Sequence, residues 1–207
     1  KHIKEDMRIK IGGRRKAYRT IHTSYNLEET LLVLKPLNLD HLVKRPTFKN
    51  FTELFQMLND DANLKYLVQR SFHELDNSPS FFKVKDVDVL VNDYYYFKAI
   101  TGARSVNLRH MRENDNGYHI QSKINVGGVE VPFDIRFVGD DFVDSKWEYE
   151  MLNKRVIHSL DSNFNIYIPN KEDELYSLIY NILVQKPRPK KSKHIPRVNK
   201  LRLDLGL

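Results

Sequence analysis

Three aspartates stand in two stretches of the chain that alternate polar and apolar residues. Asp86 and Asp88 are separated by one residue, and side chains at i and i+2 of a strand share a face and lie about 6.6 Å apart. Asp134 lies between Phe133 and Ile135 in the second stretch. Carboxylates that converge repel one another, and a hard divalent cation such as Mg²⁺ relieves that repulsion. The spacing therefore predicts a metal site shared by two neighbouring strands.

The same pattern has a structural interpretation, because a half-buried sheet often carries acidic residues on its outer face. We adopt the metal hypothesis and leave that alternative open. Two Mg²⁺ ions about 3.5 to 4 Å apart can clamp the attacking and leaving oxygens of a phosphoryl transfer. Arg70, Lys85 and Arg136 would offset phosphate charge, and Ser71 would add a hydroxyl. Arg136 has a second interpretation as an ion-pair partner of Asp134.

Helix signals surround the first aspartate strand. Residues 51–58 carry apolar side chains at i, i+3, i+4 and i+7, and Thr47 or Asn50 precedes them as a candidate N-cap. Asp93 and Gly102 predict the beginning and end of a second helix. These elements predict helices that pack on the aspartate strands.

Strand signals lie on both sides of these helices. Residues 63–69 and 85–91 predict two strands. Gly127-Gly128 predicts a type I′ turn, which needs positive φ at both central positions and joins strands over 118–126 and 129–138. The third aspartate is therefore expected on a strand whose register is fixed by a tight turn.

The remainder of the chain predicts a helix over 146–156, a strand over 164–168 and a helix that follows Pro169. The segment between the predicted strand that carries Asp134 and the predicted helix over 146–156 contains Asp140, Asp141 and Asp144. We interpret them as an exposed acidic loop, with a second cation site as the alternative.

Composition limits the classes of protein and site. The chain has 207 residues, 41% of them hydrophobic, which is enough to bury a core. No apolar stretch approaches the roughly 20 residues of a membrane span, and cysteine is absent, so we expect a cytoplasmic protein. The sequence lacks a P-loop, a dinucleotide-binding glycine motif, a serine-hydrolase elbow and paired histidines at zinc-binding spacing.

Positive charge is concentrated at the two ends. The net charge is +7, but residues 1–20 carry eight Lys/Arg and two Asp/Glu, and residues 186–207 carry eight and one. We predict a basic N-terminal arm with a connecting segment (1–46), a central domain (47–185) and a basic C-terminal tail (186–207). The ends are the natural contact for a polyanion, which makes a noncatalytic module that binds nucleic acid or an acidic partner the alternative function.

Three segments carry a resemblance to a known family. Residues 85–91, 133–140 and 168–179 resemble the nucleotidyltransferase fold, the polymerase-beta-like superfamily, and within it uncharacterised bacterial and viral proteins distantly related to the LicD/fukutin group. The likeness covers about residues 50–185. It implies an α+β fold with a mixed, mainly antiparallel sheet packed by helices.

The resemblance also implies a chemistry. Asp86 and Asp88 would hold Mg²⁺ bound to a nucleoside triphosphate or a CDP-type donor, and Asp134 would complete the metal site or act as the base. The acceptor would be a sugar, a glycan precursor or another small molecule. The sequence departs from the family at the turn after the first strand, where Gly-Ser or Gly-Gly is expected and Arg70 and Ser71 stand instead.

Overall fold

The computed structural model describes residues 45–70, 72, 75, 86–105, 120–185 and 193–207. The chain divides into two compact units, Lys1–Lys44 and Arg45–Leu207, and every described residue belongs to the second. The domain boundaries predicted after residues 46 and 185 stay predictions.

The described part of the chain contains five α-helices, seven strands and one π-helical segment. In order they are α1 (Phe51–Asp60), β1 (Tyr66–Val68), β2 (Val87–Val91), α2 (Tyr94–Thr101), β3 (Arg104–Ser105), β4 (Ile120–Val126), β5 (Val129–Phe137), α3 (Ser145–Asn153), β6 (Val156–Asp161), β7 (Phe164–Ile168), α4 (Lys171–Tyr180), a π-helical segment (Asn181–Gln185) and α5 (Ile195–Asp204). None of the described helices has the length and apolar content needed to cross a membrane.

Five strands form one mixed sheet in the order β1-β2-β5-β4-β3. The central pair, β2 and β5, is parallel, and the other three pairs are antiparallel. β6 and β7 form a separate antiparallel pair. The predicted α+β class with a mixed, mainly antiparallel sheet is confirmed.

The two faces of the central strands have different neighbours. On one face, Val87, Val89, Phe133 and Ile135 are buried in the main core, together with the apolar side of α1 and the Tyr94 and Phe97 rings of α2. On the other, a smaller core joins Leu67 and Leu90 to Met151 and Leu152 of α3. The aspartates lie on this second face, so the large core fixes the strands from behind them.

Local signals place the main boundaries. The Asn50 side chain accepts the Glu53 amide at 2.9 Å, which identifies Asn50 as the N-cap of α1. The Asp93 side chain caps α2 in the same way, and Gly102 ends it with φ of 65°. A Cβ at Gly102 would also lie 2.8 Å from Cδ of Pro46.

The Gly127-Gly128 turn has φ of 60° and 77° at its two glycines. Positive values at both positions are what a type I′ turn requires. The predicted β4–β5 hairpin is confirmed.

Two elements differ from the sequence-based predictions. The helix predicted over 146–156 ends at Asn153, and Val156 begins β6. The Arg155 side chain donates to the Leu152 carbonyl oxygen at 2.6 Å and stacks on Tyr167, so the chain leaves the helix there. The basic C-terminal segment contains α5, which was not anticipated.

The helix α5 packs on α4 through apolar and charged contacts. Leu201 is buried against Leu175 and Leu178. Arg197 makes two 2.7 Å hydrogen bonds to the carboxylate of Glu174. This paired, bidentate geometry joins the C-terminal segment to the folded body.

Candidate functional site

The parallel pairing of β2 with β5 places Asp88 directly beside Asp134, with their Cα atoms in register. Neighbouring strands lie about 4.8 Å apart, and register partners present their side chains on the same face. Asp134 is 9% exposed and the Asp88 side chain is 15% exposed. The structure therefore brings Asp88 and Asp134, two of the three predicted aspartates, together in one half-buried site.

Asp86 lies at the exposed edge of the site formed by Asp88 and Asp134. It immediately precedes β2 and stands two residues before Asp88, on the same side of an extended chain. Within the described ranges no group of three His, Cys, Asp or Glu residues stands close enough to hold a metal ion. Asp88 and Asp134 thus form the centre of the candidate site, and Asp86 lies at its rim.

The next strand adds a residue that sequence reasoning missed. Gln121 of β4 is the register partner of Asp134, so it shares the aspartate face. Its side chain is exposed. The signal was available in the alternation of β4, where Ser122 and Ile124 are buried and Gln121 points the other way.

Arg70 pairs with one of the two central carboxylates. Its Nη2 lies 2.6 Å from Oδ1 of Asp88, and its side chain is 22% exposed. The residue before it, Gln69, extends β1 by donating its amide to the Asp88 carbonyl oxygen at 2.9 Å. Two other predicted phosphate contacts, Ser71 and Lys85, lie outside the described residues.

Arg136 forms an ion pair with Asp140, which is not one of the three predicted site aspartates. It follows Asp134 by two residues on the same face, and its Nη1 lies 3.3 Å from Oδ2 of Asp140. Its guanidinium also stacks 3.7 Å from the centre of the Phe142 ring. Burial lowers the pKa of Arg136, and the charges of Asp140 and Asp134 oppose that shift. Both acids therefore stabilise the cation, and Asp140 forms an ion pair with it.

The prediction of an exposed acidic loop is wrong for Asp140, which is fully buried. It accepts the Phe142 amide at 2.9 Å through Oδ1 and the Phe137 amide at 3.4 Å through Oδ2. Asp144 instead caps α3, and Asp141 is exposed with φ of 63°. The loop folds inward because Arg136 and two amides satisfy the buried carboxylate.

Glu148 is a second buried acid next to Asp140. Its Oε2 accepts the Gly139 amide at 2.9 Å. Burial, assisted by the nearby Asp140 charge, raises the pKa of Glu148 to about 7. Sequence reasoning missed this residue, although Glu148, Met151 and Leu152 have the i, i+3, i+4 spacing of a buried helix face.

A narrow cleft runs from Arg70 to Glu148. The volume within it that water-sized spheres can occupy is only about 20 Å³, which is room for about one water molecule. Its lining consists of Gln69, Arg70, Phe142, Val143, Trp147, Glu148, Met151, Ser177 and Tyr180. The aromatic and apolar walls therefore leave too little space for an organic ligand.

The carboxylates of the site suit Mg²⁺ when a phosphate of a bound ligand completes the coordination. Mg²⁺ prefers oxygen ligands and is commonly bound by one or two carboxylates together with phosphates of the substrate. Asp88 and Asp134 provide those carboxylates on adjacent strands. The residues therefore fit an ion completed by a phosphate ligand, and in the described part of the chain they do not form a cage made of protein groups alone.

Comparison with known proteins gives one structural likeness. The chain is similar to the crystal structure of an antigenic nucleotidyltransferase-like protein from Paracoccidioides brasiliensis, with 13% identity and a TM-score of 0.39 over 75% of this chain and 72% of that chain. No protein-family model and no curated protein matches the chain. A likeness this distant carries no argument about activity, and the relation to the LicD/fukutin group stays a prediction.

Proposed function

We propose that the protein transfers a nucleotidyl or related phospho-ligand group, with Mg²⁺, from a nucleotide donor to a small-molecule acceptor. The observation that supports this most is the register of β2 with β5, which sets Asp88 beside Asp134 on one half-buried face. Two carboxylates at this spacing repel each other, and a divalent cation bound to both offsets that repulsion. Arg70 adds a positive charge at the same place.

Asp88 and Asp134 would hold the Mg²⁺ with Asp86 at the rim of the site, and Asp134 is also a candidate base for the acceptor hydroxyl. When bound, the ion would neutralise and align the phosphate oxygens of the donor. Arg70 would provide a planar pair of N–H donors for a phosphate. Ser71 and Lys85 are further candidates for phosphate contacts.

Arg136 has a different role in this proposal. Its guanidinium is committed to Asp140 and Phe142, so it acts on the phosphate through its charge and through the position of Asp134. The donor would be a nucleoside triphosphate or a CDP-type nucleotide. The acceptor would be a hydroxyl or phosphate of a sugar, a glycan precursor or another small molecule.

The test is Mg²⁺-dependent binding and turnover of nucleotides. We expect a nonhydrolysable nucleoside triphosphate to bind with Mg²⁺ and not with EDTA, and Asp88→Asn to abolish binding while the far-ultraviolet circular dichroism stays unchanged. Glu130→Gln is the matched control, because Glu130 is an acid on β5 whose partner is Arg104 at 3.7 Å. Nucleotide binding that ignores both Mg²⁺ and Asp88→Asn would contradict the proposal.

A noncatalytic module that binds a polyanion through the basic ends is the second candidate. The ion pair between Arg70 and Asp88 favours it, because an arginine can neutralise the site permanently in place of a metal. The helix α5 adds Lys200 and Arg202 as exposed cations of the C-terminal end. Salt-sensitive RNA or DNA binding that Lys200→Gln with Arg202→Gln weakens, without any nucleotide binding, would favour this candidate.

A further inference from the structure

Two buried carboxyl groups meet where the loop after β5 contacts α3. Asp140 belongs to this loop, residues 138–144 (the β5–α3 loop), and it lies within hydrogen-bond reach of the Glu148 side chain. Glu148 is 2% exposed and Asp140 is fully buried. One carboxyl can donate a hydrogen bond to another only if it carries a proton. The contact therefore needs a proton between the two groups.

The other partners of the pair assign this proton to Glu148. Asp140 accepts two backbone amides and forms an ion pair with Arg136. Three donors, one of them a cation, stabilise a negative charge on Asp140. Glu148 accepts the Gly139 amide at 2.9 Å, and burial raises its pKa to about 7. Glu148 is thus the acid of the pair, and Asp140 is the carboxylate.

The surroundings of Glu148 disfavour its ionised form. Among the described residues, the titratable and charged groups that face it are Asp140 and Arg136 from the β5 side, Arg70 after β1 and Tyr180 at the end of α4. The Arg136 charge favours the ionised acid, but burial and the Asp140 charge outweigh it. The cleft beside Glu148 has room for about one water molecule, so an ionised carboxylate would be poorly hydrated there.

The β5–α3 loop depends on both carboxyl groups for its closed conformation. Gly139 donates its amide to Glu148, and Phe142 donates its amide to Asp140. Asp141 between them has φ of 63°, a left-handed conformation that costs a non-glycine residue free energy. Loss of the proton would remove the hydrogen bond of the pair and set two negative charges side by side. Release of the loop would relieve both that repulsion and the strain at Asp141.

We propose that Glu148 and Asp140 form a proton-operated latch, which holds the β5–α3 loop against α3 while Glu148 is protonated and releases the loop when Glu148 ionises. Neither acid is one of the three site aspartates, so the latch does not depend on the proposed function. Release would free Phe142, whose ring stacks on Arg136 and whose carbonyl oxygen accepts the Tyr180 hydroxyl at 3.0 Å. The latch is therefore a pH-sensitive link between the end of β5 and α4.

The direction of the pH dependence follows from the two states of the loop. With the loop closed, the pKa of Glu148 is about 7, and in the released loop we expect a value near the ordinary 4.5. Between these values the released state loses a proton that the closed state retains. Release should therefore become about tenfold more favourable with each pH unit from 4.5 to 7, and this dependence should level off above pH 7.

The test is amide hydrogen exchange of the whole chain, measured by nuclear magnetic resonance from about pH 5 to 8.5 and corrected for the intrinsic exchange rate at each pH. We expect the protection of the Gly139 and Phe142 amides to fall about tenfold per pH unit up to about pH 7 and to stay level above it. These amides should also be at least about tenfold less protected than that of Val131 in the β4–β5 hairpin, because the loop opens without unfolding of the sheet. Protection that is independent of pH, or equal to that of Val131, would overturn the latch.

Glu148→Gln should hold the latch closed at every pH. Its side-chain carbonyl keeps an acceptor for the Gly139 amide, and its amide N–H group supplies a donor to Asp140 that does not ionise. Asp141→Asn is the matched control, because it removes an exposed acid from the same loop and should keep the natural pH dependence. The natural pH dependence in Glu148→Gln, or its loss in Asp141→Asn, would overturn the latch.

Trp147 gives a second measurement that needs no variant. It is the single tryptophan of the chain, it precedes Glu148, and it lines the same cleft. We expect its fluorescence in the natural chain to change with a midpoint near pH 7, because it reports the ionisation of the neighbouring acid. An emission spectrum that is unchanged over the same pH range would overturn the latch even if Glu148→Gln does not fold.

Discussion

Two arginine–aspartate pairs lie on the same side of the sheet, and they differ in almost every respect. Arg70 and Asp88 are 2.6 Å apart, and both side chains are partly exposed. Arg136 and Asp140 are 3.3 Å apart and 11% and 0% exposed, and Arg136 is stacked on Phe142. The first pair is short but open to solvent, and the second is longer but enclosed.

The comparison indicates that the distance between two charged groups does not decide how easily their ion pair breaks. Removing one partner of a buried pair leaves an uncompensated charge in a medium that cannot solvate it. A partly exposed partner can be solvated by water or by a ligand. The Arg136 pair therefore fixes the loop after β5, whereas the Arg70 pair can break at a smaller cost in free energy.

Asp140→Ala should produce the largest effect on stability. It removes the buried carboxylate that pairs with Arg136 and accepts the Phe137 and Phe142 amides. We expect a loss of about 3 to 5 kcal/mol in the free energy of unfolding, measured by urea denaturation. Glu130→Ala, which breaks an exposed pair, should cost less than about 1 kcal/mol. Similar losses in both variants would remove the distinction between enclosed and open pairs.

Glu148→Gln tests the enclosed region through pH. The pKa of Glu148 is raised from 4.5 to about 7, so between these values the folded chain retains a proton that the unfolded chain releases. Stability should consequently fall as pH rises through this window. Glutamine mimics the protonated acid. In Glu148→Gln, the fall in the free energy of unfolding between pH 4.5 and pH 7 should therefore be smaller by about 1 to 3 kcal/mol.

The measurement is the urea midpoint at intervals from pH 4.5 to 8 in the natural chain and in Glu148→Gln. Glu150→Gln on the same helix is a suitable control, because Glu150 forms an exposed pair with Lys154. A slope that is unchanged by Glu148→Gln would show that this carboxyl is ionised throughout the range.

Arg70→Ala should have a much smaller effect on stability than Asp140→Ala. Both partners of its pair are partly exposed, so we expect a loss of about 1 kcal/mol, measured in the same denaturation experiment without divalent cations. A loss as large as that of Asp140→Ala would mean that Arg70 is as fixed as Arg136. The two pairs would then be equivalent, and their difference in exposure would not govern their strength.

Local signals in the sequence predicted much of the sheet and its helices. Asn50, Asp93 and Gly102 fix helix ends through hydrogen bonds and dihedral angles that involve only nearby residues. The Gly127-Gly128 turn fixes the β4–β5 register for the same reason. Alternation then placed Asp134 opposite the apolar face of β5.

Features that depend on tertiary packing were not predictable in this way. Asp140 is buried because Arg136 and the turn after β5 enclose it, and its acidic surroundings in sequence suggested exposure. The strand β6 has exposed Val156 and Ile157, and it exists because β7 pairs with it. The pairing of Arg70 with Asp88 joins residues 18 apart across two strands.

The central claim, that Asp88 and Asp134 hold one shared cation, is tested most directly by a double-mutant cycle. Affinity for the Mn²⁺–tripolyphosphate complex would be measured in the natural chain, Asp88→Asn, Asp134→Asn and the double variant, each checked for folding by circular dichroism. If one ion bridges both carboxylates, each single variant loses most of the affinity and the double variant loses little more. Independent, additive losses, or unchanged affinity in either single variant, would contradict the shared site.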